Sequence, residues 1–143
     1  MINKLEKSSR LEKELPEFLK KSQLYSMVIT DMAGYYVYVN EIFKQRFSFI
    51  STDFIGIHSF VTIHPDDHGV CLQAVQACIA QPDKIVQVKL RKPDENKEDY
   101  YWTNWEFSVF FNTDKTPLGI LCIGHDVSEN ERTQDKLVKI VQK

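Results

Sequence analysis

The segment between residues 100 and 128 constrains this chain more than any other. Two long runs, 102–111 and 118–125, are rich in aromatic and β-branched residues, which is the composition of strands. The second run leads through a short joint into a charged segment, 129–143, that is predicted to form a helix. A sheet that continues directly into a helix is typical of a domain that passes a signal along the chain. The joint consists of Asp126, Val127 and Ser128.

The C-terminal segment has the spacing of a coiled coil. Asn130, Thr133, Leu137 and Ile140 fall at a and d positions, while the acidic residues come first and the basic residues last, as the helix dipole favours. Such a helix usually carries a signal to a further domain, so Leu137 and Ile140 are predicted to pack against a partner helix. The alternative is a terminal helix that only covers the sheet.

Composition indicates one domain with a full apolar core. The 143 residues are 43% hydrophobic and 12% aromatic, as in an ordinary single domain. The 18 basic and 20 acidic residues give a net charge of −2, and neither sign forms a block that would attract nucleic acid or an anionic membrane. No apolar run has the length of a transmembrane helix or a signal-peptide core. These features predict a soluble, cytoplasmic domain without a nucleic-acid partner.

The cysteine pattern favours a reduced protein. Cys71, Cys78 and Cys122 are odd in number, lack CxxC spacing and lie among apolar neighbours. This arrangement suits buried thiols better than disulfides or a zinc site.

An amphipathic helix is predicted over residues 4–21, ahead of the first strand, and Pro16 should limit or kink it. Its apolar stripe could pack against a sheet or against a second subunit. The stripe consists of Leu11, Leu15, Phe18 and Leu19.

The remaining pattern predicts two strands, then several helices, then three strands. A turn with an acid and a glycine joins the first two strands, Asn40 can cap a short helix, and Pro65 opens a longer helix that stops before Pro82. All five strands can form one antiparallel sheet with the helices over one concave face, which is an α+β fold. The predicted strands are 25–30, 35–39, 85–91, 101–111 and 118–125.

Three motifs in this order resemble the PAS family of sensory domains. They are the turn and strand from Asp31 to Asn40, the His-Pro-Asp-Asp helix opening at 64–67, and the Asp-Val-Ser joint at 126–128. The resemblance implies a PAS domain over residues 22–128, between an N-terminal helix in 1–21 and the start of a signalling helix in 129–143. Residues 105–108 and 119–124 also look like a PAS subgroup that is common in bacterial sensor histidine kinases.

Matching the strand register to ligand-binding PAS domains implies that Asn104, Glu106 and Ser108 face the helices. Trp105 and Phe107 would then face outward, covered by the first helix or by a partner subunit. The alternative places the aromatic residues in the core and Glu106 in water. Candidate pocket residues are Asn104, Glu106, Ser108, Phe43, His58, Phe60 and Cys122.

Signals for a bound cofactor are weak. His64 and His68 are four residues apart, but the helix opens at Pro65, so no metal site is predicted. The Asn-Cys-Arg-Phe motif of flavin-binding PAS relatives is missing from the sequence, and we expect neither haem nor flavin. No phosphate loop, nucleophile elbow or HExxH motif occurs, so the domain is predicted to be non-catalytic.

Together these features predict a sensory module that binds a small ligand or partner and relays a change in helix packing through Asp126, Val127 and Ser128. The predicted partners are a second copy of the chain and an output domain such as a histidine kinase. Two alternatives remain open: a PAS domain that only dimerises its neighbours, and a small α+β enzyme or carrier.

Overall fold

The computed structural model describes residues 15–96 and 99–127. Predictions for Leu11, Ser128, Leu137 and Ile140 lie outside these residues. The helices are α1 (Glu17–Lys20), α2 (Glu41–Arg46) and α3 (His68–Ala80), with two short 3-10 helices at Ser59–Thr62 and Pro65–Asp67; the strands are β1 (Ser26–Thr30), β2 (Tyr36–Val39), β3 (Val86–Pro93), β4 (Tyr100–Phe111) and β5 (Pro117–Asp126).

The five strands form one antiparallel sheet in the order β2-β1-β5-β4-β3, as predicted. The β1–β2 hairpin lies at one edge, and the helical excursion carries the chain to the opposite edge. The strands β3, β4 and β5 then return toward β1, so that the first and last strands pair in the middle of the sheet. β5 therefore has a paired neighbour on each side up to Gly124, and its last two residues pair with β4.

The turn between β1 and β2 is closed by Asp31. Its carboxylate oxygen Oδ1 accepts hydrogen bonds from the backbone N–H groups of Ala33 at 2.9 Å and Tyr35 at 3.0 Å. Gly34 has a backbone φ of 93°, a conformation that residues with a side chain rarely adopt. Lys115, in the β4–β5 turn, also has a positive φ, at 69°.

Both faces of the sheet bury apolar side chains. The inner face packs against α2, α3 and the intervening loop, and its core includes Phe43, Phe54, Cys71 and Trp105. The outer face has a smaller core. Its buried residues are Leu15, Met27, Ile29, Val37 and Tyr38.

The first helix begins immediately after Pro16, which acts as its N-cap residue. Leu15 is 8% exposed and belongs to the outer core, and Leu19 packs against it. Phe18 is 74% exposed and does not pack against the sheet, so its packing against a second subunit stays a prediction. Phe18 and Leu19 are adjacent in the helix, so their side chains point roughly 100° apart and do not share a face.

Asn40 ties the first helix to the sheet. Its Nδ2 donates to the carbonyl oxygens of Leu19 at 3.0 Å and Tyr25 at 2.9 Å, and its Oδ1 accepts from Phe43 N at 3.4 Å. Asn40 therefore caps α2, as predicted, and also fixes the position of α1.

The His-Pro-Asp-Asp motif opens with a 3-10 turn at Pro65–Asp67 before the regular helix α3 begins. Cys71, Ala74 and Cys78 form the buried stripe of α3, and the helix ends at Ala80. The structure thus confirms a helix that stops before Pro82.

Candidate functional site

A cavity of about 100 Å³ lies between the inner face of the sheet and α3. Most of its lining is apolar, with Leu90 and Ile120 on the sheet and Val75 on the helix. The lining extends from the buried Tyr36 to Met32, an exposed residue of the β1–β2 turn, so the cavity opens to solvent beside this turn. A small, largely apolar space with a few polar groups has the character of a ligand site.

Three of the predicted pocket residues, His58, Phe60 and Cys122, line this cavity. Phe43 is fully buried in the same core but lies outside the lining. Cys71 also lines the cavity, and burial raises the pKa of the Cys71 and Cys122 thiols. Cys71, Cys78 and Cys122 are all free and buried, as predicted.

The prediction that Asn104, Glu106 and Ser108 face the helices is wrong. These residues lie on the outer face, where Glu106 is exposed, and Asn104 and Glu106 line an open groove with Tyr25. The physical reason is the cost of burying a carboxylate without a partner. The alternative, with Glu106 in water, is the arrangement found.

Trp105 and Phe107 face inward, so their predicted outward packing is also wrong. Each is 4% exposed, and burying a large apolar side chain stabilises a fold by roughly 1.5 to 3 kcal/mol. Gly124, which pairs with Trp105 across β4 and β5, leaves room for the indole ring, since a Cβ there would lie 2.3 Å from it. Trp105 Nε1 donates to Thr103 Oγ1 at 2.6 Å.

Lys92, the penultimate residue of β3, is buried at the inner end of the cavity with 3% exposure. Its Nζ donates to Thr62 Oγ1 at 3.1 Å and lies 4.9 Å from the centre of the Trp105 ring. Phe43 and Phe47 lie a little farther away, at 5.8 and 5.9 Å. Among residues 15–96 and 99–127, no carboxylate forms an ion pair with this ammonium. Burial lowers the pKa of Lys92 to about 8.

Thr62 connects Lys92 to a second buried hydroxyl. The Tyr36 hydroxyl lies 2.6 Å from Thr62 Oγ1, and Thr62 donates its own proton to Ser59 O at 2.9 Å. Because that proton is used, Tyr36 must donate to Thr62. Burial raises the pKa of the Tyr36 phenol, which keeps this proton in place.

His58 fixes the mouth of the cavity. Its Nδ1 accepts from Phe60 N at 3.1 Å, and its Nε2 lies 3.1 Å from Ala33 O in the β1–β2 turn. A neutral ring with its proton on Nε2 satisfies both contacts. Gly34 permits the close approach, because a Cβ there would lie 2.8 Å from Nε2.

The other histidines of the helical region have structural roles. His64 Nδ1 accepts from Asp66 N at 3.0 Å and so caps the 3-10 turn. His68 Nε2 lies 2.9 Å from Ile63 O, and its ring stacks on Phe60 at 4.1 Å. Within the part of the chain that the structure describes, no group of three or more His, Cys, Asp or Glu residues is arranged to hold a metal ion.

An ion pair links the opening of α3 to the edge strand. Asp67 Oδ1 and Oδ2 accept from the Arg91 guanidinium at 2.7 and 3.0 Å, and Oδ2 also accepts from Arg91 N at 2.7 Å. These hydrogen bonds lower the pKa of Asp67. The guanidinium also lies 5.0 Å from the centre of the Trp102 ring. Asp67 and Arg91 are 24 residues apart, so no local sequence pattern predicts this pair.

β5 connects the cavity to the predicted relay. Ile120 and Cys122 line the cavity, and the strand continues to Asp126. Val127 is buried, and its N–H donates to Trp102 O at 3.0 Å, so the chain stays bound to β4 one residue beyond the strand. The position of Ser128 lies outside the described residues.

The family described as the PAS fold matches residues 19–132, well over half of the chain. The chain belongs to the PAS family. PAS domains are sensory domains of signal-transduction proteins, and this chain is one of them. Among curated proteins, none matches it.

Solved structures show the same PAS fold. The PAS domain of a protein from Colwellia psychrerythraea is 14% identical with a TM-score of 0.68, covering 83% of this chain and 98% of that one. A sensory box histidine kinase/response regulator from Burkholderia thailandensis is 18% identical with a TM-score of 0.62, covering 87% and 92%. An RNA-binding light-oxygen-voltage receptor is 15% identical with a TM-score of 0.70, covering 94% of this chain and 38% of that one.

No helix among the residues that the structure describes is long and apolar enough to cross a membrane.

Proposed function

We propose that this PAS domain senses a small ligand that binds in the cavity between the sheet and α3. The observation that carries the proposal is the cavity itself, with the Lys92 ammonium at its inner end and apolar side chains along its walls. A domain that only joined its neighbours would have no use for a buried charge beside an open space. This favours a ligand sensor over the purely structural alternative.

The proposed relay runs along β5. A ligand between Ile120 and α3 contacts the strand that ends at Asp126, so differential binding to two sheet arrangements would shift the segment that follows. Asp126, Val127 and Ser128 form the proposed joint. The output domain that receives the change is proposed to be a histidine kinase.

The proposed assembly is a cytoplasmic homodimer that packs through residues 4–19 and 129–143 and has no nucleic-acid partner. Sedimentation equilibrium tests it: a dimer that dissociates on dilution is expected, and a monomer at every concentration would contradict it.

We also propose that the domain carries neither haem nor flavin, because about 100 Å³ is well below the roughly 300 to 1,000 Å³ of most ligand pockets. An absorption spectrum with a haem or flavin band would contradict this.

A cavity-filling variant tests the ligand-sensing proposal. Val75 lines the cavity from α3, whereas Val70 is 45% exposed on the same helix. We expect thermal-shift screening with small metabolites to find compounds that stabilise the wild-type chain and Val70→Phe but not Val75→Phe. Compounds that stabilise all three proteins equally bind elsewhere, and a screen without any such compound would contradict the proposal.

A further inference from the structure

The Lys92 ammonium has more N–H donors than hydrogen-bond partners among the described residues. A lysine ammonium carries three N–H donors, and the only partner of this one among the described residues is Thr62 Oγ1 at 3.1 Å. That oxygen already accepts from Tyr36 and donates to Ser59 O, so it is saturated. The other two N–H donors of Lys92 have no hydrogen-bond partner among the described residues, and Lys92 lines the cavity together with Tyr36 and Trp105.

The surrounding rings stabilise the charge without taking up these donors. Trp105 presents its ring 4.9 Å from Nζ, and Phe43 lies at 5.8 Å. A cation near aromatic faces is attracted by their quadrupoles, but the faces are poor hydrogen-bond acceptors compared with oxygen. With a pKa of about 8, the amine is mostly protonated at neutral pH.

Among the residues that the structure describes, no negative group inside the cavity balances this cation. Tyr36, Cys71 and Cys122 line the cavity with Lys92, and burial raises the pKa of all three, so they are neutral at pH 7. Asp31 and His58 also line the cavity, but at its mouth, where Asp31 is engaged by the β1–β2 turn. The inner end therefore carries one positive charge.

We propose that the cavity binds a small organic monocarboxylate whose head group accepts hydrogen bonds from the Lys92 ammonium and whose apolar body packs against Leu90 and Ile120. This inference rests on the proposed ligand-sensing function. One cation matches one carboxylate, and two free N–H groups match its two oxygens. A cavity of about 150 Å³ can hold benzene. The space here is about 100 Å³ and therefore suits molecules no larger than benzene.

The first experiment uses the wild-type chain with pairs of probes that differ only in charge. Acetate, propionate, butyrate and isobutyrate, none of them larger than benzene, are titrated calorimetrically against the chain, each beside its primary amide. We expect at least one carboxylate to bind tenfold or more tightly than its amide. Near pH 8.5, binding should take up protons from the buffer, because the anion favours the protonated amine; the amides should take up none.

The second experiment assigns this preference to Lys92. Lys92→Met removes the charge and keeps most of the side-chain length. Lys89→Met, on the exposed side of the same strand, is the matched control. We expect Lys92→Met to lose at least tenfold in carboxylate affinity with little change for the amide, while Lys89→Met binds like the wild type. Should Lys92→Met not fold, Tyr36→Phe tests the same cluster, with a weaker but still selective loss of carboxylate binding.

The outcomes separate this inference from the function on which it rests. Amides that bind as tightly as carboxylates, or a folded Lys92→Met that retains the preference, would overturn the carboxylate inference and leave a ligand sensor of other chemistry. If neither carboxylates nor amides bind, the carboxylate inference fails, and the Val75→Phe screen then decides whether the ligand-sensing function fails with it.

Discussion

Lys92 holds its charge in surroundings that penalise it. The side chain is buried, and in the described part of the chain it has one hydrogen-bond partner and forms no ion pair with a carboxylate. The fall of its pKa from 10.5 to about 8 corresponds to a cost on the order of 3 kcal/mol at neutral pH. A residue that destabilises the fold in this way is typical of a binding site, where function is retained at the expense of stability.

Lys92→Met is therefore expected to stabilise the unliganded chain at neutral pH, by about 1 to 3 kcal/mol in the free energy of unfolding. The unfolded state binds more protons than the folded state between the two pKa values, so the wild type gains stability as pH rises through about 8. The difference in free energy of unfolding between Lys92→Met and the wild type should therefore shrink as pH rises through about 8. Urea unfolding of both proteins between about pH 6 and about pH 9 measures this; a variant less stable than the wild type at pH 6 would contradict it.

The Asp67–Arg91 ion pair stabilises the fold, whereas the buried charge of Lys92 destabilises it. Asp67 is 8% exposed and Arg91 is 28% exposed, so solvent screens the pair only in part. Asp67→Asn should cost roughly 1 to 2 kcal/mol, and Asp66→Asn, at an exposed neighbour, should change the free energy of unfolding by less than about 0.5 kcal/mol.

The pH dependence of this pair follows from the lowered pKa of Asp67. Its stabilisation is present above the unfolded value near pH 4 and is lost as pH falls through the folded value. The difference between wild type and Asp67→Asn should therefore vanish in acid. Denaturation curves recorded between about pH 7 and about pH 2 measure it, and a difference that stays constant would argue against the pair.

At the scale of elements, the contact between β4 and β5 shapes the site. Trp105 lies across Gly124, and the same ring lies over the Lys92 ammonium. The glycine is needed for space rather than for an unusual backbone conformation. The orientation of the ring that closes the inner end of the cavity thus depends on a residue of the neighbouring strand.

Gly124→Ala places a methyl group where the Trp105 ring lies, because the added Cβ would be 2.3 Å from it. We expect a loss of roughly 1 to 3 kcal/mol in stability and a shift in tryptophan fluorescence. Gly69→Ala in α3 is the control, since a Cβ there meets nothing within 4 Å. If Gly124→Ala unfolded at the same urea concentration as the wild type, the packing described for Trp105 would be wrong.

The elements themselves could be predicted from local pattern. Alternating apolar residues and turn residues locate all five strands to within about two residues, but the short 3-10 helix at Ser59–Thr62 has too little periodicity to be found. Alternation also shows that Asn104 and Trp105 face opposite ways without showing which one faces the helices. Gly124, opposite Trp105, was the available signal for the inward side.

Lys92 could have been found from the same kind of pattern. Side chains alternate along β3, and Lys92 lies on the same inward-facing side as Val88 and Leu90. A lysine at such a position indicates a buried charge. Its contacts with Thr62 and with the rings of α2 join residues far apart in the sequence. Such contacts depend on the assembled fold, and local pattern could not show them.

At the scale of the whole molecule, the cavity and the end of β5 belong to one sheet. Ile120 and Cys122 line the cavity, and Val127 stays hydrogen-bonded to Trp102. On this account, a ligand that binds beside Lys92 changes the packing of β5 and, through Asp126, the segment that follows. Transmission would depend on the continuity of the strand rather than on a separate hinge.

Hydrogen–deuterium exchange of the full chain tests this most directly. The spectra compare the free chain with the chain saturated by the carboxylate that raises its melting temperature most. The account predicts altered exchange at residues 118–124 and also beyond them, at residues 125–143, with both changes missing in Lys92→Met. Changes confined to the cavity lining, with identical exchange from residue 125 onward, would contradict it.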